Sequence, residues 1–162
     1  MKTRLALFAI FTALMLSAFG ASPASPAADP ENFQVSLRVT LVSCEGGNLP
    51  DCSFEGSAVV PQLGRATVTG HIIKGCVGGL DFCIWDLGVR MTPRGAHGDR
   101  TLGVVGQVQW SPDQSPPTAL PWDAQEDLGY AGHGTSTDDF SSQLPYGSEF
   151  TIDLVGTLLP AN

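Results

Sequence analysis

The sequence predicts an all-β protein, built as an antiparallel β-barrel or β-sandwich of about seven or eight strands. Several segments alternate apolar and polar residues with a period of two, which is the pattern of a strand with one buried face. Residues that favour turns, mainly glycine and proline, separate these segments. No segment carries an apolar stripe at the helical period. Successive strands without intervening helices are typical of sandwiches and barrels.

The alternation is clearest from Phe33 to Leu41, where every second residue is apolar. Gly70 and Gly106 lie inside two later strands, where glycine favours a bulge or a bend. Besides the first strand, the pattern predicts strands over residues 53–60, 65–73, 85–91, 101–110 and 149–159.

Each of these strands has a polar face opposite its apolar face. We expect the polar face in solvent, because a water-soluble protein normally buries the apolar one. A barrel with the inverse pattern would place the polar face around a lumen, and the sequence leaves that alternative open. The residues concerned are Arg65, His71, Asp86, Arg90 and Asp153.

The N-terminus has the pattern of a secretory signal peptide. Lys2 and Arg4 precede an apolar run over residues 5–16, and small residues then offer cleavage after Gly20 or after Ala27. The run is shorter than the roughly 20 residues that span a bilayer. We therefore predict a signal peptide over residues 1–20, a Pro-, Ala- and Ser-rich leader over 21–32 and one β domain over 33–162. This organisation predicts a secreted or periplasmic protein with no stable membrane insertion after cleavage.

The predicted mature chain is strongly acidic. Removal of Lys2 and Arg4 leaves six basic residues against all sixteen acidic ones, a net charge of −10. Such a surface repels phosphate backbones and anionic lipids, so binding of nucleic acid is not expected. A solubilising role explains the charge, and binding of a cationic partner or of a divalent cation is the alternative.

Four cysteines in an exported chain predict two disulfides. The spacing favours sequential pairing, Cys44 with Cys52 and Cys76 with Cys83, because each pair encloses a turn-forming sequence. Zinc ligation by the four thiolates would need closer spacing.

The segment over residues 111–148 interrupts the strand pattern with prolines, glycines and acidic residues. A structureless loop of this length is unusual in a compact domain. It therefore either contains one or two short strands, around Thr118 and around Gly129, or is a functional loop.

A short stretch resembles a known group of proteins. Phe54 and Gly56, followed by Leu63-Gly64-Arg65-x-Thr67-x-Thr69-Gly70, are similar to the opening of small secreted bacterial β-barrel proteins. Those proteins share the outline of the barrel of allene oxide cyclases and dirigent proteins. The resemblance implies a barrel and carries over no activity and no site.

No catalytic or cofactor motif is recognisable. His71, His97 and His133 lack the spacing that would place two ligands on one face of a strand, so neither a metal nor another cofactor is predicted. No Gly-x-Ser-x-Gly motif occurs. The sequence therefore favours a protein that is not an enzyme, although it does not decide the question.

The aromatic residues in and beside the 111–148 segment suggest a binding surface, since exposed aromatics stack on sugar rings. Their alternative role is to fill the end of the barrel. We predict a non-catalytic domain that binds a small ligand, a glycan or a protein through loops at one end. The rivals are a hydrolase or lyase on an extracellular polymer, with carboxylates from the 111–148 loop, and a structural protein of an envelope or appendage. The predicted ligand-binding residues are Trp110, Trp122, Tyr130 and His133.

Overall fold

The computed structural model describes residues 30–47, 49–76, 81–95, 100–125 and 128–160, which form a closed antiparallel barrel of eight strands. Each strand pairs with the next in the chain, and the last pairs with the first. The strands are β1 (Glu31–Glu45), β2 (Asp51–Val60), β3 (Gly64–Cys76), β4 (Cys83–Pro93), β5 (Leu102–Trp110), β6 (Leu120–Ala124), β7 (Tyr130–Asp138) and β8 (Glu149–Pro160).

The barrel confirms the predicted fold class. All six strands recognised from alternation are present, and most extend beyond the predicted segment. The 111–148 segment contains β6 and β7. Of the two alternatives for this segment, the structure therefore confirms short strands and not one long loop. Residues 111–119 and 139–148 remain as the connections on either side.

The apolar faces line the interior, and the polar faces lie outside. Along β1 the residues from Phe33 to Leu41 alternate strictly between buried and more exposed positions. Trp85 is 2% exposed and lies in the core. On the outside lie Arg65, His71, Asp86, Arg90 and Asp153, none of which is buried.

Strand pairing is regular through Gly70, so no bulge exists there. The missing side chain instead makes room for the Phe54 ring, whose Cε2 atom would lie 2.8 Å from a Cβ at position 70. The register shift that the structure does contain lies in β1, between Leu41 and Ser43. The intervening Val42 occupies the outward position that follows Leu41 and is 49% exposed.

Both predicted disulfides form, and both lie at the same end of the barrel. Cys44 is bonded to Cys52 across the β1–β2 turn, and Cys76 to Cys83 across the β3–β4 turn. This end is called the disulfide rim below, and the end where β1 begins and β8 finishes is called the opposite rim. The two disulfides are compatible with an extracellular or periplasmic protein.

We expect each disulfide to act as a local staple whose loss weakens the barrel without unfolding it. The bonds close sequence separations of 8 and 7 residues, which correspond to about 2.5 kcal/mol each in the chain-entropy model. Urea unfolding of C44S/C52S and of C76S/C83S should each show a loss of this size. A pair whose removal abolishes folding would instead hold the domain together.

The predicted signal peptide and most of the predicted leader lie outside the described residues. Strand β1 already begins at Glu31, two residues before the predicted domain start. Within the described ranges, no helix has the length and apolar character needed to cross a membrane.

Candidate functional site

A row of outward-facing residues crosses five neighbouring strands on the outside of the barrel. Strand register places His71 of β3 opposite Gly88, Gly88 opposite Val105, Val105 opposite Asp123, and Asp123 opposite His133. Residues that are distant in sequence are therefore neighbours on this face.

The His71 ring occupies space that a side chain at position 88 would fill. A Cβ at Gly88 would meet the ring, approaching its Nδ1 atom to 2.8 Å. The ring thus lies across the backbone of β4, and the absence of a side chain at Gly88 permits this orientation.

Asp86 connects His71 to a third side chain. Its Oδ1 atom lies 3.3 Å from Nε2 of His71, and its Oδ2 atom accepts a 2.8 Å hydrogen bond from Nε2 of Gln107. The side chains of His71 and Asp86 are 48% and 25% exposed. Among the described residues neither Nδ1 of His71 nor Oε1 of Gln107 has a hydrogen-bond partner.

A groove of about 390 Å³ opens beside this network. It follows the seam between β5 and β6, whose described residues form two partner pairs, Val104 with Ala124 and Val105 with Asp123. Pro121 on the β6 side has no N–H to donate to a ladder. The groove is lined by His71, Asp86, Leu87, Val105, Gly106, Gln107, Pro121 and Asp123.

Two further depressions also contain His71. One of about 390 Å³ lies towards Arg90 and Gln125, and one of about 260 Å³ lies towards Glu45 and Asp51. The imidazole therefore forms a ridge between depressions, and a ligand on either side would contact it.

The structure does not bring the four predicted ligand-binding residues together. Trp122 is 2% exposed and packs edge-to-face on Phe33, with ring centroids 5.9 Å apart, and Tyr130 is 6% exposed. Trp110 is half-buried at the disulfide rim, where it pairs with Cys83. His133 is exposed on the outer face, opposite the groove residue Asp123. Trp122 and Tyr130 thus take the core-filling role that the sequence left as the alternative.

The described carboxylates of the 111–148 segment point to different places. Asp123 lines the groove, whereas Asp138 is buried inside the barrel against Lys74. Asp139 accepts a 2.6 Å hydrogen bond from the backbone of Thr151. In the part of the chain that the structure describes, no three His, Cys, Asp or Glu residues are grouped as metal ligands would be. His97 lies outside the described residues.

The groove could be found only in part from the sequence. His71 and Asp86 were recognisable as outward polar residues, because each occupies a polar position in the alternation of its strand. Gln107 was recognisable in the same way on the predicted 101–110 strand, whereas Pro121 and Asp123 carried no such signal, since they lie on β6, which alternation did not reveal. No protein-family model, curated protein or solved structure matches the chain significantly.

Proposed function

We propose that this domain is a secreted, non-catalytic binding module, and that the groove beside His71 holds a small polar ligand such as one sugar unit of a glycan. One observation carries the proposal. Asp86 fixes His71 and Gln107 at the edge of a groove of about 390 Å³, and leaves a free polar atom on each of them.

The chemistry of the lining suits an uncharged, hydroxyl-rich ligand. Imidazole, amide and carboxylate groups together offer hydrogen-bond donors and acceptors, while Val105 and Pro121 offer apolar contact. Sites of this kind use a few placed polar groups for orientation and apolar surface for affinity. Val105 is 42% exposed, so apolar surface is available to a ligand.

Binding is favoured over catalysis because both oxygens of Asp86 are already engaged by other side chains. Such a carboxylate orients its neighbours. The rival hydrolase or lyase would draw on Asp123, the described carboxylate of the 111–148 segment that faces the groove. Export is supported by the N-terminal sequence pattern and by the two disulfides.

We expect D86N to weaken ligand binding about tenfold, because an amide cannot accept hydrogen bonds on both sides as the carboxylate does. G88A should weaken binding as well, by displacing the His71 ring. NMR titration of the protein with monosaccharides and short glycans measures the affinity. D153N is the matched control, since Asp153 is an exposed carboxylate on β8, away from the groove.

Three outcomes would contradict the proposal. Equal affinity in D86N and D153N would place the ligand elsewhere. Product formation in the same samples would support a hydrolase or lyase, and its loss in an Asp123→Asn variant would assign the reaction to this groove. Ordered assembly on sizing, without binding of any glycan, would support the structural protein.

A further inference from the structure

A second groove, near the opposite rim, is lined by two arginines. It has a volume of about 270 Å³ and lies where the end of β2, the start of β3 and the end of β4 meet. Its lining residues are Ser57, Ala58, Val59, Arg65, Ala66 and Arg94. It shares no residue with the groove beside His71, so it is independent of the function proposed above.

A backbone hydrogen bond places the two arginines opposite each other, and a side-chain hydrogen bond orients Arg94. The backbone N–H of Arg94 donates a 2.8 Å hydrogen bond to the carbonyl oxygen of Arg65. The Nε atom of Arg94 donates to Oγ1 of Thr67 at 3.0 Å. This bond uses Nε, and among the described residues the two terminal nitrogens of Arg94 have no hydrogen-bond partner.

Neither guanidinium has a carboxylate partner within 4.0 Å among the described residues. This is unexpected in a chain with 16 acidic and 8 basic residues. The paired N–H groups of an arginine guanidinium match the geometry of the oxygens in carboxylate, sulfate and phosphate groups. Two unpaired arginines side by side therefore favour an anion from outside the chain.

The same groove has an apolar wall. Val59 pairs with Arg65 in the β2–β3 ladder and is 72% exposed. Ala58 is partly buried beside it. An anion held by the arginines would thus bring its neighbouring atoms against apolar surface.

We propose that this groove binds a small organic oxyanion, with its carboxylate or sulfate group on Arg65 and Arg94 and a short apolar segment against Val59. The net acidity of the chain repels long polyanions, whereas a ligand with one charge feels mainly the two adjacent arginines. The ligand class is therefore a small monoanion and not a nucleic acid.

NMR titration with three probes tests the proposal: butyrate, inorganic sulfate and the neutral analogue butyramide. Butyrate should shift the signals of Val59 and Arg94, and butyramide should not. Binding of butyrate without sulfate would support the organic monoanion, while binding of sulfate without butyrate would overturn it, because sulfate has no apolar segment to contact Val59. Equal binding of butyrate and butyramide would overturn the proposal.

Matched variants locate the contacts. R65Q and R94Q should each weaken butyrate binding about tenfold, the usual effect of losing a charged hydrogen bond. R90Q removes the same charge from a neighbouring depression and should leave binding unchanged. V59T should weaken the binding of butyrate but not that of sulfate, because only butyrate has an apolar segment to contact Val59. An equal loss in R90Q and R65Q would show a general charge effect and overturn the site.

Discussion

Replacing Lys74 by methionine is expected to destabilise the barrel more than replacing Asp138 by asparagine. The Nζ atom of Lys74 lies 2.7 Å from Oδ1 of Asp138, across the barrel interior near the disulfide rim. The Asp138 side chain is fully buried, at 0% exposure, whereas that of Lys74 is 27% exposed. Loss of one partner therefore has a different cost for each residue, because Asp138 would stay buried whereas Lys74 can reach solvent.

K74M would leave a buried carboxylate without its counter-charge, at a cost of about 3 kcal/mol. It would also remove the ammonium that lies 4.0 Å from the centroid of the Trp85 ring. D138N would leave Lys74 able to reach solvent, and an asparagine oxygen can still accept the 3.1 Å hydrogen bond from the backbone of Phe140. We expect this loss to be about 1.5 kcal/mol.

Urea unfolding of the two single variants and of K74M/D138L measures these differences. The double variant should be close to wild type, because an apolar pair can replace a buried ion pair at little cost. In the described structure Oδ2 of Asp138 has no hydrogen-bond partner, which adds to the cost of the native pair. A larger loss in D138N than in K74M would show that Lys74 is the partner that cannot be left alone.

The second large effect is expected at two glycines against which the Trp122 ring packs. Gly134 of β7 and Gly156 of β8 lie opposite each other. A Cβ at Gly134 would lie 2.5 Å from Cζ2 of the Trp122 ring, and one at Gly156 would lie 2.7 Å from it. Each Cβ would also meet a backbone carbonyl of the neighbouring strand, of Val155 or of His133. G134A and G156A should therefore each cost about 3 kcal/mol or more.

Thermal and chemical unfolding of the alanine variants test this. G47A is the control, since nothing lies within 4 Å of a Cβ at Gly47. W122L/G156A should lose less stability than the sum of the losses in W122L and G156A, because the smaller side chain removes the ring contact but not the carbonyl contact. If the free energies of unfolding of G134A and G156A lay within about 0.5 kcal/mol of that of G47A, the close packing of Trp122 on these glycines would be contradicted.

Strands β6 and β7, which alternation did not reveal, show what sequence patterning can and cannot predict. β1 was recognisable because its inward residues are all large and apolar. β7 was not, because after Tyr130 its inward positions hold Gly132, Gly134, Ser136 and Asp138, none of them large and apolar. The space left at Gly134 is filled by the Trp122 ring, which comes from the neighbouring strand β6. The apolar signal for this part of the wall thus lies on another strand, and alternation within β7 cannot reveal it.

The candidate site was harder to predict for a related reason. His71 and Asp86 meet only because His71 pairs with Gly88, which brings Asp86 one step along the same face. Register is a property of strand pairs, whereas the sequence pattern reports on single strands. Trp122 and Tyr130 looked like exposed aromatics because the strands that carry them inward were not recognised.

Closure of the barrel by its first and last strands has a consequence for how the chain folds. β1 and β8 pair over ten positions, and even the partners nearest in sequence, Thr40 and Glu149, are 109 residues apart. All other neighbouring strands are consecutive and form hairpin-like pairs. Contacts of such high contact order are slow to form, so the β1–β8 ladder should close after the hairpins. A circular permutant that links residues 160 and 30 and opens the turn at 61–63 would make β1–β8 a local pair and β2–β3 the distant one. The order of strand docking would then change while the barrel stayed the same.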